Sequence, residues 1–237
     1  MASLNKKNVR SYKSASKNTP ELILDAAEEL MSRRGFHGVS IREIANLAEV
    51  HLGSVTYHFG TKENLLEAIY ERHAQPMNLR RSDLLAEAAR ITNLSERLLA
   101  IVRAFVVPAF SSQSDVSGGG ARFTRVRAIL SMEGNEAAQR IIASNFDETS
   151  AAFVDAVLEC CPRANRSSVV WRCHFLLGSL YYTLVSGERI DRLTHGDSSG
   201  ADHHRAIDEL SHSFAAAFSD LQNNNDTPVT KTEERQT

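Results

Sequence analysis

Between residues 51 and 62 the chain gathers two imidazoles (His51, His58), three hydroxyls (Ser54, Thr56, Thr61), a phenol (Tyr57) and an amine (Lys62) around Gly53 and Leu52. Such groups donate hydrogen bonds and carry positive charge, so together they suit recognition better than bond making. Bond-making signals are missing elsewhere: there is no glycine-rich phosphate loop, no nucleophile elbow and no HExxH pairing. Cys173 beside His174 lacks a second ligand pair at zinc spacing. The adjacent Cys160 and Cys161 cannot readily reach disulfide geometry. His203-His204 reads as an exposed helix start. The sequence therefore predicts no metal and no cofactor, and an all-helical enzyme is the weaker alternative.

The elements that would position the recognition set are short helices. Apolar residues recur at helical spacing almost throughout and alternate rarely, which predicts an all-α fold. Thr19 reads as an N-cap before Pro20 and Glu21, followed by the stripe Leu22, Ile23, Ala26, Ala27 and Leu30, with Gly35 as the stop. Ser40 with Glu43 three residues on has the spacing of a capping box. The helix IREIANLA packs Ile41, Ile44, Ala45 and Leu47. A break at Glu49, Val50 and His51 leads to LGSVTYHF, ended by Gly60, and Thr61 caps a fourth helix.

Two short helices joined by a tight turn, with a bracing helix before them, can lay one helix in the major groove of a duplex. Residues 40–59 have that layout. The segment SIREIANLAEVHLGSVTYHF closely resembles the DNA-binding segment of the tetracycline-repressor-like (TetR) family. GFHGVSIREIA, GSVTYHF and GTKENLL stand in the family's order and spacing, and the likeness runs over about residues 20–72. The resemblance implies that Arg42, Leu52, Gly53, Ser54, Thr56, Tyr57, His58 and Lys62 contact DNA, with Ser40 and His51 at the two helix starts joining them. By residue type, Leu52 suits a thymine methyl and Ser54 a base edge, while Tyr57, His58 and Lys62 suit phosphate. Val55 and Phe59 belong to the core. His51 stands where the family often has a small polar residue, and Thr56 where many members have a larger group, so no relative's operator sequence carries over.

At 237 residues, 42% apolar and 24% charged, the chain is long enough for a small head and a core-forming body. The boundaries read as a basic arm over 1–18, a head over 19–76, a helical body over 77–222 and a polar tail over 223–237. The arm carries Lys6, Lys7, Arg10, Lys13 and Lys17 against a net charge of -2 for the whole chain. It is either a duplex-seeking arm or a solubilising leader. No apolar run is long enough for a membrane span, and the N-terminus lacks the apolar stretch of a signal peptide, which predicts a cytoplasmic protein without a membrane partner.

In the body, helices are predicted near 79–91, 95–110, 121–133, 135–161, 166–187 and 203–221, with loops at 111–120 and 192–200. The glycine-rich loop at 111–120 would either connect helices or gate a ligand. Pro76 marks the end of the head. The last two long helices carry aromatics and leucines among small residues such as Gly178, Ser179 and Ala215–Ala217, and the resemblance implies that they pair with a second copy. For a small apolar effector, Phe105, Phe110, Phe123, Trp171 and Phe175 are the predicted walls, and Arg122, Arg125 and His174 the polar ends. The segment ERHAQPMNLRRSDLLAEA is similar to family members whose effectors are fatty acids or acyl thioesters. The expected partners are thus double-stranded operator DNA, a second copy of the chain and an apolar or acyl-type molecule. A DNA-binding regulator with no effector is the other alternative.

Overall fold

The computed structural model describes residues 18–111 and 120–222, and among these every regular element is a helix. The basic arm, the middle of the glycine-rich loop and the polar tail lie outside the described residues. None of the described helices is long and apolar enough to cross a membrane.

The head is built from α1 (Thr19–Arg34), α2 (Ile41–Leu47), α3 (Leu52–Phe59) and the start of α4 (Lys62–Ala89). Asn18, rather than Thr19, caps α1: its side chain accepts from the Glu21 amide, so the helix begins one residue earlier than the sequence suggested. Ile23, Ala27 and Met31 of α1 close over Ile44 and Ala45 of α2, Val55 of α3 and Leu65, Leu66 and Ile69 of α4, all buried. The capping box at α2 forms as predicted. Ser40 Oγ accepts from the Glu43 amide, and the Glu43 carboxylate accepts from the Ser40 amide at 2.8 Å and hydroxyl at 2.7 Å.

Arg34 adds a 2.8 Å hydrogen bond to the other Glu43 oxygen. Arg34 first, then Ser40, lowers the Glu43 pKa from 4.5 to about 2. A depressed carboxylate contributes stability that is present above its unfolded pKa and is lost as pH falls through the folded one. The gap in melting temperature between wild type and Glu43→Ala is therefore expected to narrow as pH falls from 5 toward 2. A gap that stays constant across that range would show that the carboxylate charge contributes nothing.

The body comprises the rest of α4, α5 (Leu94–Phe110), α6 (Gly120–Met132), α7 (Glu136–Cys160), α8 (Arg166–Val185), α9 (Glu188–Leu193) and α10 (His203–Asp220). Two features depart from the sequence reading. Helix α4 runs unbroken through Pro76 to Ala89, where a head boundary and a new helix were expected. Proline removes one backbone donor and crowds the preceding turn, but buried Ala74 and Met77 on either side hold this stretch of helix in the core. Head and body thus share one helix. The second departure is α9, too short to show a period.

Candidate nucleic-acid interface

Helix α3 presents the predicted recognition set outward. Tyr57 is 85% exposed, and Leu52 is 48% exposed. His51, Gly53, Thr56 and His58 are exposed, Ser54 is half-buried, and Val55 alone of this helix turns fully into the core. The Tyr57 and His58 rings stand edge to face at 5.1 Å. A Cβ built on Gly53 would meet nothing within 4 Å, so no internal packing demands glycine at this position. Arg42 is exposed on α2. Ser40 is exposed too, but its hydroxyl is committed to the capping box.

Lys62, expected as a phosphate clamp, is turned toward the α1–α2 turn in the chain by itself. Its Nζ donates to the Phe36 and Val39 carbonyls, each at 2.9 Å, and lies 4.2 Å from the centre of the Phe36 ring. The amine pins the turn between α1 and α2 to the start of α4. A lysine after a glycine turn offers no sequence signal for that, because its partners are backbone carbonyls more than twenty residues upstream.

Behind the interface, α1 is gripped by α4 and α6 through ion pairs. Arg72 of α4 reaches Asp25 at 2.7 Å and Glu21 at 3.3 Å, and His73 Nε2 lies 2.7 Å from buried Glu28. Arg122 of α6 reaches Glu29 at 3.1 Å. Just beyond α6, the Glu133 carboxylate accepts from the Phe36 amide at 3.1 Å. It packs so closely against Gly35 that any Cβ there would collide with it, and Gly35 has φ 72°. Glu133, just beyond α6, and Lys62, at the start of α4, thus both hold the α1–α2 turn.

The predicted effector residues separate into three groups. Phe105, Phe110 and Phe123 are buried. Phe105 packs on Phe153 at 4.9 Å and Phe123 stacks on His73 at 4.7 Å, while Phe110 meets His203 at 5.3 Å, near the start of α10. Arg125 is half-buried, with an Nε that no described group satisfies. The rest do not line an interior. Arg122 points to the head, as its pair with Glu29 shows. Trp171 and Phe175 are 59% and 56% exposed, and His174 is exposed beside them. The reason is helical phase: α8 buries Val169, Leu176 and Leu180, which leaves these three on the opposite face.

Two interior residues escaped the sequence reading, Arg81 of α4 and Arg127 of α6, 2% and 3% exposed. Their signal was register. Arg81 continues the buried stripe Tyr70, Ala74, Met77 at steps of four, three and four, and Arg127 stands one turn after Phe123.

A bracing helix, a tight turn and an outward-facing helix of polar and aromatic residues, carried on an all-helical body, define a helix-turn-helix regulator. Residues 23–69 match the family model for bacterial regulatory proteins of the tetR family, and residues 103–217 match the tetracyclin repressor-like C-terminal domain. The chain belongs to the TetR family of transcriptional regulators. Among curated relatives, the HTH-type transcriptional repressor NemR of Escherichia coli is 35% identical over 83 residues, which is 35% of this chain and 41% of NemR. The chain thus matches less than half the length of such relatives. Among solved structures, the fatty acid degradation regulator FadR from Bacillus halodurans superposes with a TM-score of 0.55 at 13% identity, over 85% of this chain and 97% of FadR. The hemolysin II transcriptional regulator HlyIIR superposes with a TM-score of 0.54 at 20% identity, over 81% of this chain and 97% of HlyIIR. At these identities the likeness establishes the fold.

Proposed function

We propose that the protein is a cytoplasmic transcriptional repressor that binds a palindromic operator as a homodimer and is released by a small, largely apolar effector of acyl type. The observation that carries the reading is the outward face of α3, whose exposed Leu52, Gly53, Tyr57 and His58 serve no packing need of the chain itself. Ser54, Thr56 and Arg42 complete a set suited to base edges and phosphates. One short recognition helix reads few base pairs, so twofold pairing is needed to match two half-sites about 34–36 Å apart.

Helix α8 supports that pairing. Trp171, Phe175, Gly178 and Tyr182 follow one another at steps of four, three and four on its exposed face, with Tyr182 58% exposed. A continuous apolar stripe of this kind on an exposed helix face marks a contact surface, and α10 packs beside α8, where the Ala217 carbonyl accepts from Arg172 Nε at 3.0 Å. The acyl reading draws on the shape shared with FadR, whose name ties it to fatty acid degradation, and on the apolar interior of the body. Release follows from α4, which reaches both α3's surroundings and the body core: a ligand that favours another placement of α4 moves the two heads out of step. A 100-fold fall in operator affinity requires about 2.7 kcal/mol of coupling, and operator must weaken effector binding by the same factor.

Sedimentation of the wild type and a Trp171→Glu/Phe175→Glu double variant, with and without a palindromic duplex selected from a random library, tests the reading. The wild type is expected to sediment as a dimer at micromolar concentration and the variant as a monomer with at least about tenfold weaker operator binding, since each half-site then binds alone. A wild-type monomer that binds the duplex equally well would overturn the dimer claim.

A further inference from the structure

Arg81 and Arg127 sit together in the middle of the body without an acidic partner among the described residues. The Arg127 guanidinium lies 3.6 Å from the centre of the Phe146 ring, and Arg81 lies 5.8 Å from that ring and 4.4 Å from that of Phe105. Arg81 gives one hydrogen bond, to the Phe105 carbonyl at 3.2 Å. Both Nε groups, together with the Tyr70 hydroxyl, are buried and unsatisfied. Cation–π contact offsets part of the desolvation but leaves both Nε donors without an acceptor. Burial first, and then the charge of Arg127, draws Arg81 down to about 9, which still leaves it protonated at neutral pH. Two buried like charges oppose folding unless something of opposite charge joins them.

We infer that Arg81 and Arg127 are the anion-binding end of the effector site, and that the effector is a carboxylate carried on an apolar chain. The inference rests on the effector reading above and names the chemistry of that site. A carboxylate has two acceptor oxygens and can take a fork of N–H groups from each guanidinium. Phe105, Phe146 and Phe153 supply apolar surface for the chain. The gap beside Arg81, lined by Leu85, Ala104, Phe105, Thr149 and Phe153, is too tight to admit even a water molecule, whereas ordinary ligand sites offer ~300–1,000 Å³. A chain entering there must part α4 from α5 and α7. Since Arg81 rides on α4 and Arg127 on α6, the two helices that grip α1, one carboxylate drawing both arginines together acts directly on the head. Phe123 links the site to the junction, stacked on the same His73 that holds Glu28.

The test is titration of the full-length wild type, Arg81→Met and Arg127→Met with dodecanoate, dodecanol and dodecanoyl-coenzyme A, alongside thermal melts and operator displacement. The wild type is expected to bind dodecanoate at least about tenfold tighter than dodecanol, which has no charge, or dodecanoyl-coenzyme A, whose bulky phosphate-bearing head replaces the carboxylate with a thioester, the scale of a charge-assisted hydrogen-bonded pair. Each variant should lose that preference and, without ligand, melt higher than the wild type. Equal wild-type affinities for dodecanoate and dodecanol, tighter binding of the thioester, or no binding of any of the three would overturn the inference, even if a variant failed to fold. Variants that melt lower and keep the full preference would overturn it as well. Dodecanoate that binds through the arginines without displacing operator would uphold the anion site and sink the release mechanism instead.

Discussion

Replacing Gly53 with leucine is expected to lower operator affinity at least about 100-fold, or about 2.7 kcal/mol, while leaving the head as stable as before or more so. The two effects have opposite signs because glycine serves different partners in them. Within the chain, a Cβ at Gly53 meets open space, and glycine in a helix is about 1 kcal/mol less favourable than alanine, somewhat less in the first turn where this residue lies. Any side chain should therefore gain helix stability. On the proposed reading glycine would allow α3's first turn to approach the groove floor, and an isobutyl group would hold Leu52 and Ser54 away from the base edges. Gly53→Ala should show the same signs at smaller size. Thermal melts and titrations of a selected duplex decide it: unchanged affinity in Gly53→Leu would mean that the start of α3 does not enter the groove.

How far the sequence revealed this protein depends on whether a residue's partner is near it in the chain. The Ser40–Glu43 cap, the Gly35 and Gly60 stops and the outward face of α3 rest on neighbours within one turn, and each is present in the structure. Arg122 shows the limit. By composition it suited a pocket's polar end, but its acid partner Glu29 lies on α1, and only the packing of α6 against the head brings them together. Trp171 and Phe175 were legible as large apolar residues, but not as outward ones, because α8 has apolar residues on more than one face and periodicity alone does not say which face the chain itself covers. The burial of Leu176 and Leu180 sets Trp171 and Phe175 outside the interior of the single chain. Arg81 and Arg127 were hidden for the converse reason: an arginine reads as surface, and only its place in the register of a buried stripe says otherwise.

Lys62→Met is expected to destabilise the head by about 2–3 kcal/mol without changing the salt dependence of operator binding by the variant that remains folded. The size follows from two charge-assisted hydrogen bonds to backbone carbonyls, each worth about 1.5–3 kcal/mol when fully shielded, discounted because Lys62 is only half-buried. Methionine keeps the length and the contact with Phe36 but leaves the Phe36 and Val39 carbonyls without this donor. Phe36 also donates its amide to Glu133, so a loosened turn weakens the tie between α6 and the head, and effector coupling should fall along with stability. A lysine acting on phosphate gives a different pattern, because each lost contact reduces the slope of log affinity against log salt by about 0.9, or twice that in a dimer. Arg42→Met is the control: exposed on α2, it should lower that slope and leave the stability within about 0.5 kcal/mol of wild type. If Lys62→Met instead behaved like Arg42→Met, with an unchanged melt and a shallower slope, Lys62 would be a phosphate clamp and its hydrogen bonds to the turn of no energetic consequence.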